Sequence, residues 1–330
     1  MASALVLGAT GHIGAHITRA LIDEGHSVRA AYRTPVYRSV LKGLPVEQVF
    51  VDLDKIETLK PALEGVDWVF YAAGYYPGRS ENKEAAIARG IAAARLTLDT
   101  IGRANPKRII FTSSAATLKH VESRPSDEND PEPWPLIEWR HSYSAVKIAM
   151  EQEALRAAKE GLPVVITNPT VCVGEYDSRG FSGRAVLFYA RKQMPIYTRS
   201  MMNAVYTGDV GIGHLRAAER GRIGERYLLA NKNLTLKQFA DCVAKEAGVT
   251  PPFFPFPHAA AFSAGLAVEI FSKITGRDPL FTRQDVKRLR QGHAFDGSKA
   301  VRELGMPQTP VEEAIRRAVA WFRNQGMIRR

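Results

Sequence analysis

The sequence predicts an α/β fold, a doubly wound parallel sheet with a smaller, mostly helical C-terminal lobe. Three observations carry that expectation. Short apolar runs alternate with helix-length segments through the first half of the chain; the first run, Ala4-Leu5-Val6-Leu7, breaks into Gly8, Gly11 and Gly14; and from Asn231 onward the alternation yields to alanine-rich and aromatic segments. Strands that alternate with helices pair in parallel through right-handed crossovers, and ligands of such sheets lie beyond the carboxyl ends of the strands.

Taken in order, residues 15–24 after the glycines carry Ile17, Ala20 and Leu21 at helical spacing, and Gly25 stops them. Residues 27–32 and 46–51 read as the second and third strands, 56–63 as a helix, and 68–72 as the fourth strand, which ends at Ala73-Gly74. Residues 84–104 form an alanine-rich helix with Ile87, Ile91, Leu98 and Ile101 on its packing face; 108–112 is the fifth strand. Residues 120–141 hold four prolines together with Trp134, Leu136 and Trp139, which suits an ordered excursion beside the site better than a helix or a free linker. Residues 143–160 are helical, 163–167 form the sixth strand, and Asn168-Pro169-Thr170 leave its end. A helix over 180–193, a return over 206–219 and a seventh strand over 226–229 follow. Helices over 235–247 and 309–323 and an alanine-rich and aromatic unit between them then complete the chain. The expected division is a dinucleotide-binding core at 1–169, a substrate-lobe excursion at 170–205, a return to the core at 206–230, and mainly substrate lobe at 231–330.

The totals fit an ordinary enzyme. The 330 residues can bury a sizeable core, and 45% hydrophobic residues exclude a disordered chain. Cys172 and Cys242 are far apart and offer neither a metal spacing nor a disulfide framework, so they read as small buried hydrophobes, and no metal is expected. The first strand starts almost at once, with no basic segment or cleavage pattern before it, and the apolar segment 259–270 is interrupted by Ser263 and Glu269; a cytoplasmic protein with no membrane partner is the expectation. The net charge of +11 is spread along the helices, which argues for a solvated basic surface and an anionic ligand rather than a specific nucleic-acid site.

Gly8, Gly11 and Gly14 sit where a strand turns into a helix. The first glycine permits the tight turn, the second the approach of a pyrophosphate to bare backbone, and the third close helix packing, which is the signature of a Rossmann-type dinucleotide site. Thr10, His12 and Ile13 complete that turn. The second strand ends Tyr32-Arg33-Thr34 without the carboxylate that would bind an adenosine ribose 2′-hydroxyl. Arg33 offers a guanidinium fork to a 2′-phosphate, with Arg38 as a helper, so NADP(H) is expected, with NAD(H) as the alternative. A surface charge, or stacking over adenine, is the competing role for Arg33. Asp52 can accept from the adenine amino group or cap the next segment. The small Ala72, Ala73 and Gly74 would let backbone approach the cofactor.

Tyr143 and Lys147 stand four residues apart, on one face of a helix. A free phenol has a pKa near 10, and each unit of lowering takes about 1.4 kcal/mol of differential interaction. Lys147 can supply it and can also bond to the nicotinamide ribose. Ser114, just past the fifth strand, is placed to bond to a substrate oxygen, with Thr117 a second candidate hydroxyl. This set suits hydride transfer to a carbonyl, with Tyr143 giving the proton and Ser114 stabilising the alkoxide, or the reverse.

With Gly8-Ala9-Thr10-Gly11-His12-Ile13-Gly14, Asp52-Leu53, Phe111-Thr112-Ser113-Ser114-Ala115, Tyr143 with Lys147, Asn168-Pro169-Thr170, and the stretch from Asp296 to Gly305, nearly the whole chain resembles an extended short-chain dehydrogenase/reductase of the NAD-dependent epimerase/dehydratase family. The resemblance implies Ser114, Tyr143 and Lys147 as the catalytic set. It completes the cofactor-binding set with Leu53, Ser113, Tyr143, Lys147, Asn168 and Pro169, and makes the second lobe the lid and substrate pocket. The run from Val28 to Arg33 is similar to the dihydroflavonol-reductase-like branch, whereas Gly161 to Ile166 and Gly221 to Leu229 resemble bacterial members named as nucleotide-sugar epimerases. Two departures count against a sugar nucleotide: Ile87 stands where the family usually has Asn, and Met202 stands where such enzymes often place an arginine that grips diphosphate, leaving Arg199 or Arg290 to replace it. Tyr75, Tyr76 and Arg79 border the substrate or pack in their loop, and Asn168 anchors substrate or forms the turn before Pro169.

The preferred expectation is an NADP(H)-dependent reductase or dehydrogenase acting on a small-molecule carbonyl/alcohol pair. A nucleotide-sugar epimerase or dehydratase that recycles a bound cofactor is the alternative, and a non-catalytic NADP-binding sensor ranks below it. No short motif decides between a monomer and a homodimer.

Overall fold

A computed structural model describes the 330-residue chain except for residues 78–80, 134–141, 179, 181, 194–195, 276–282, 284–285, 287–292 and 329–330. Strands β1 (Ser3–Leu7), β2 (Ser27–Tyr32), β3 (Glu47–Phe50), β4 (Trp68–Tyr71), β5 (Arg108–Thr112) and β6 (Val164–Pro169) belong to one sheet, interleaved with helices α1 (His12–Asp23), α2 (Leu59–Ala62), α3 (Lys83–Arg103) and α4 (Ser142–Lys159). Past β6 come β7 (Val171–Val173), α5 (Arg184–Ala190), β8 (Ile196–Tyr197), β9 (Met201–Tyr206), α6 (Thr207–Arg220), β10 (Arg226–Leu229) and β11 (Lys232–Thr235). Then α7 (Leu236–Ala247), β12 (Phe254–Pro255), α8 (His258–Thr275) and α9 (Val311–Asn324) follow.

The main sheet has seven strands in the order β10-β6-β5-β4-β1-β2-β3, every pair parallel. The order reverses between β1 and β4, so the crevice beyond their carboxyl ends faces the glycine turn. This is the Rossmann-type fold expected. One core fills the face under α1 and α6, with Val6, Ile17, Leu21, Phe70 and Leu215; a second fills the face under α3 and α4, with Leu5, Leu98, Phe111, Val146 and Ile166. Strand β6 is buried along its whole length, as a strand covered on both faces must be. The close approach of α6 to α1 depends on Gly211, where an added Cβ would fall 2.7 Å from the His16 backbone.

A third core joins Val173, Leu187, Tyr206, Phe239, Val243, Ile315 and Phe322 from α5, α7, α9 and their neighbours. It is backed by a small sheet, β11-β9-β7, with β7 parallel and β11 antiparallel to β9. These strands are absent from the sequence expectations. They are short and pair across long sequence separations, so no local turn signal marks them.

Other differences are local. Asn168 and Pro169 continue β6, paired with Leu228 and Leu229, instead of turning out of the sheet. The expected helix over 180–193 shortens to α5, because Gly180 takes a positive φ of 59° and Asp177 accepts from the Gly183 N–H at 2.7 Å just before the helix. The expected helix over 56–63 splits between Thr58 and Leu59 into a 3-10 turn and the short α2, which contains Pro61. Trp134, Leu136 and Trp139 lie outside the described residues. Among the described residues, no helix is long and apolar enough to cross a membrane.

Candidate active site

The glycine turn is a surface of backbone. Gly8 has a φ of +85°, and a Cβ there would meet Ala73 N at 3.0 Å and Ala72 C at 3.1 Å, so the tips of β1 and β4 touch. The Gly11 N–H donates to the Gly8 carbonyl at 2.8 Å, and a Cβ on Gly14 would fall 2.1 Å from the same oxygen. Helix α1 then starts with no side-chain cap at Gly11. Its first N–H groups carry the positive end of the helix dipole with no side chain to answer them, which fits a dinucleotide pyrophosphate. Thr10 is buried beside them, and Ile13 is partly buried against the first core. His12 is buried with neither ring nitrogen hydrogen-bonded, and burial lowers its pKa against the pull of Asp177 and Glu175.

At the end of β2 the Arg33 guanidinium is mostly exposed, 3.7 Å from Asp54 in a pair that contributes little. Arg38 stacks over the Tyr32 ring at 4.6 Å and donates to Gln48 Oε1 at 2.7 Å. The Asp52 carboxylate accepts from the Asp54 N–H at 3.2 Å, closing its own turn, and Leu53 packs against the second core.

Lys147 is the group at which the strand tips and α4 meet. Its ammonium donates to the Thr112 carbonyl at the end of β5 at 3.4 Å, and a Cβ on Gly74 would reach Nζ at 3.0 Å. The side chain is 3% exposed, and burial pulls its pKa down to about 8 against the opposing charge of Glu151. One turn earlier, the Tyr143 ring stacks on Tyr76 with centroids 5.6 Å apart, and Lys147 Nζ lies 5.6 Å from the Tyr76 centroid. The structure therefore brings Tyr76, Tyr143, Lys147 and Gly74 together. Ser114 opens the 3-10 turn after β5, its Oγ accepting from the Ala116 N–H at 3.2 Å. Tyr75 turns aside to donate to Glu81. Arg199 is exposed on the segment between β8 and β9; Arg79 and Arg290 lie outside the described residues.

Beneath the Ser114 turn lies a polar layer that the motifs do not reveal. Ser113 Oγ donates to Glu151 at 2.5 Å, and Asn168, fully buried, donates to Glu151 at 2.7 Å and to the Ser114 carbonyl at 3.2 Å. Asn168 Oδ1 has no hydrogen-bond partner. Ser113 and Asn168 thus sit in this layer, and Asn168 and the buried Pro169 close β6. Glu151 was legible only as an acidic residue four positions after Lys147. His214 of α6, buried, bridges Thr112 and Thr167 at 2.9 Å each, and burial pulls its pKa to about 4. Among the described residues, no three His, Cys, Asp or Glu side chains group as a metal site would require.

Residues 4–230, which span this turn, the α4 face and the whole main sheet, match the NAD dependent epimerase/dehydratase family. The chain belongs to that family. It is an enzyme of the short-chain dehydrogenase/reductase type. A Synechocystis relative, provisionally named a dihydroflavonol 4-reductase, is 31% identical over 98% of this chain and 95% of its own. The crystal structure of gox2253 superposes with a TM-score of 0.85 at 32% identity, covering 100% of both chains. A nucleoside-diphosphate-sugar epimerase from Pseudomonas aeruginosa superposes with a TM-score of 0.84 at 28% identity, covering 99% of both. Reductases and epimerases both stand among the family's similar members, and its cofactor is a nicotinamide dinucleotide.

Proposed function

We propose that this family member is an NADP(H)-dependent oxidoreductase that interconverts a carbonyl and an alcohol, with Tyr143 as the proton donor and acceptor. The observation that carries this reading is the burial of the Lys147 ammonium between the tips of β4 and β5, one helical turn from the Tyr143 phenol. When bound, the nicotinamide supplies or accepts a hydride. Tyr143 passes a proton to or from the substrate oxygen, and Lys147 favours the phenolate by its charge. Ser114 Oγ bonds to the same oxygen and stabilises the developing alkoxide. The backbone of Gly8 to Gly14 and the α1 N-terminus hold the pyrophosphate, with Ala72, Ala73 and Gly74 letting it approach. Arg33, at a strand end with no carboxylate, binds the 2′-phosphate, which supports NADP over NAD. Residues 170–205 and 231–330 form the substrate lobe; Tyr76, stacked on Tyr143, borders the substrate.

The similarity to the Pseudomonas epimerase keeps a second reading, cofactor-recycling epimerisation of a nucleotide sugar. One experiment separates the two. The purified protein is offered aldehydes, ketones, alcohols and nucleotide sugars with NADPH or NADH, following absorbance and, separately, products. Net NADPH oxidation coupled to alcohol formation is expected. An epimer formed with no change in absorbance would replace this reading with the second. Substituting Arg33→Asp should raise the KM for NADPH roughly tenfold or more while sparing NADH; equal effects on both would remove Arg33 from the 2′-phosphate site.

A further inference from the structure

One carboxylate beneath the Ser114 turn ties together four segments of the sheet edge. Glu151 Oε2 accepts from Ser113 Oγ at 2.5 Å, Thr117 Oγ1 at 2.9 Å and Asn168 Nδ2 at 2.7 Å, and Oε1 accepts from Arg226 Nε at 2.6 Å. These donors belong to the end of β5, the 3-10 turn after it, β6 and β10. Glu151 itself is 2% exposed.

Two features connect this knot to chemistry rather than to packing alone. Ser113 directly precedes Ser114, and the Asn168 NH2, with two protons, can hold Glu151 and the Ser114 carbonyl at 3.2 Å together, while the one proton of Thr117 Oγ1 lies 2.9 Å from that carbonyl and from Glu151 and serves one of them at a time. Glu151 also follows Lys147 by one helical turn on α4, where its charge opposes the cost of burying the ammonium. An acceptor-only group is needed there: an amide would turn its NH2 toward Arg226 or toward the three donors on the other side.

We propose that Glu151 is a positioning residue, one that fixes the Ser114 turn against the Tyr143–Lys147 face of α4 and supplies the counter-charge beneath Lys147. The proposal rests on the oxidoreductase reading and deepens it. The Thr112 carbonyl of β5 and the Tyr76 ring, from the segment after β4, lie against the Lys147 ammonium; Tyr143 and Glu151 stand one turn before and one turn after Lys147 on α4, and Arg226 of β10 pairs with the carboxylate.

The test uses the full chain with Glu151→Gln and Glu151→Asp. NADPH binding, read by fluorescence, checks the fold and should stay within about threefold of the parent. The Lys147 amine is titrated by NMR in lysine-labelled protein and assigned through Lys147→Arg. Its midpoint should fall about one pH unit in Glu151→Gln and stay near the parent value in Glu151→Asp, which keeps the charge. With ethyl benzoylformate and NADPH, kcat should drop roughly 30-fold or more in both variants, because neither reaches all four donors. A Lys147 midpoint unmoved in Glu151→Gln, or a kcat within about threefold of the parent, overturns the proposal.

If Glu151→Gln does not fold, the double variant Ser113→Ala with Thr117→Val leaves the charge and Arg226 in place. It should lose kcat without moving the Lys147 midpoint, and full activity in it also overturns the proposal. If the parent does not reduce this keto ester, the Lys147 titration decides alone. Tyr143→Phe separates the two levels: full activity there sinks the oxidoreductase reading, whereas an inactive Tyr143→Phe beside a normal Glu151→Gln sinks only the role of Glu151.

Discussion

Lys147 sets the pH range in which the α4 face can work. Its ammonium is pulled down to about 8, first by burial, with Glu151 opposing. A cation whose pKa is lowered is lost as pH rises through that value, so NADPH-linked turnover should decline above about pH 8. In Lys147→Arg the guanidinium stays charged, and the alkaline decline should move beyond pH 9 even though the rate is lower; a decline left in place would tie it to another group. His214 makes a test of stability instead. Its pKa falls from 6.5 to about 4 on burial, so the unfolded chain binds the extra proton between those values. Stability from the neutral imidazole is full above about pH 6.5 and drains away as pH falls toward 4, a loss on the order of 3 kcal/mol. The stability gap between the parent and His214→Gln, measured by urea unfolding, should narrow by that amount from pH 7 to pH 4. The helical spacing of Tyr143 and Lys147 and the place of Ser114 just past β5 were legible because spacing and chain order are local facts. The burial of Ser113 and Asn168 was not, since it depends on Glu151, which reaches them only when α4 packs on the sheet, and on Arg226, which strand pairing brings to Glu151 from far along the chain.

Elements whose signals are local were equally legible. The glycine turn, β2, β5 and β10 stand where glycines and apolar runs put them, while α1 begins at His12, three residues before the expected start at 15. Strands β7, β9 and β11 were invisible, for their pairing joins residues such as Cys172 and Val205, or Asn233 and Asn203, with nothing in the intervening sequence to mark the register. The turn also carries the sharpest steric prediction. An alanine at Gly14 would place its Cβ 2.1 Å from the Gly8 carbonyl oxygen, a backbone atom that cannot swing away. Gly14→Ala must therefore displace the turn, and a loss of roughly 1–3 kcal/mol in stability is expected. Thermal unfolding and NADPH titration should both register it, whereas Gly25→Ala, strained only by its positive φ of 77° and with open space around its Cβ, should leave NADPH affinity unchanged.

Across the whole molecule, the third core must be held to the sheet that carries α6, and one buried carboxylate spans that junction. Asp209 in the first turn of α6 accepts from the Thr309 N–H at 2.6 Å and from Thr309 Oγ1 at 2.8 Å, fixing the approach to α9 from 100 residues away. Burial raises its pKa, while both Thr309 bonds and Arg317 favour the charged form. An acid whose folded pKa is raised loses stability as pH climbs from its unfolded value through the folded one, so near neutrality the charge itself is a burden. The bonds are not. Asparagine can accept from the Thr309 N–H and donate to its hydroxyl, keeping both contacts without the charge, whereas alanine strands a buried N–H. Asp209→Asn should therefore unfold in urea close to the parent midpoint at pH 7, and Asp209→Ala should lose about 2–3 kcal/mol and expose the C-terminal segment to limited proteolysis. If the two variants lose equal stability, the junction depends on the Asp209 charge and not on the pair of hydrogen bonds that joins α6 to the last helix.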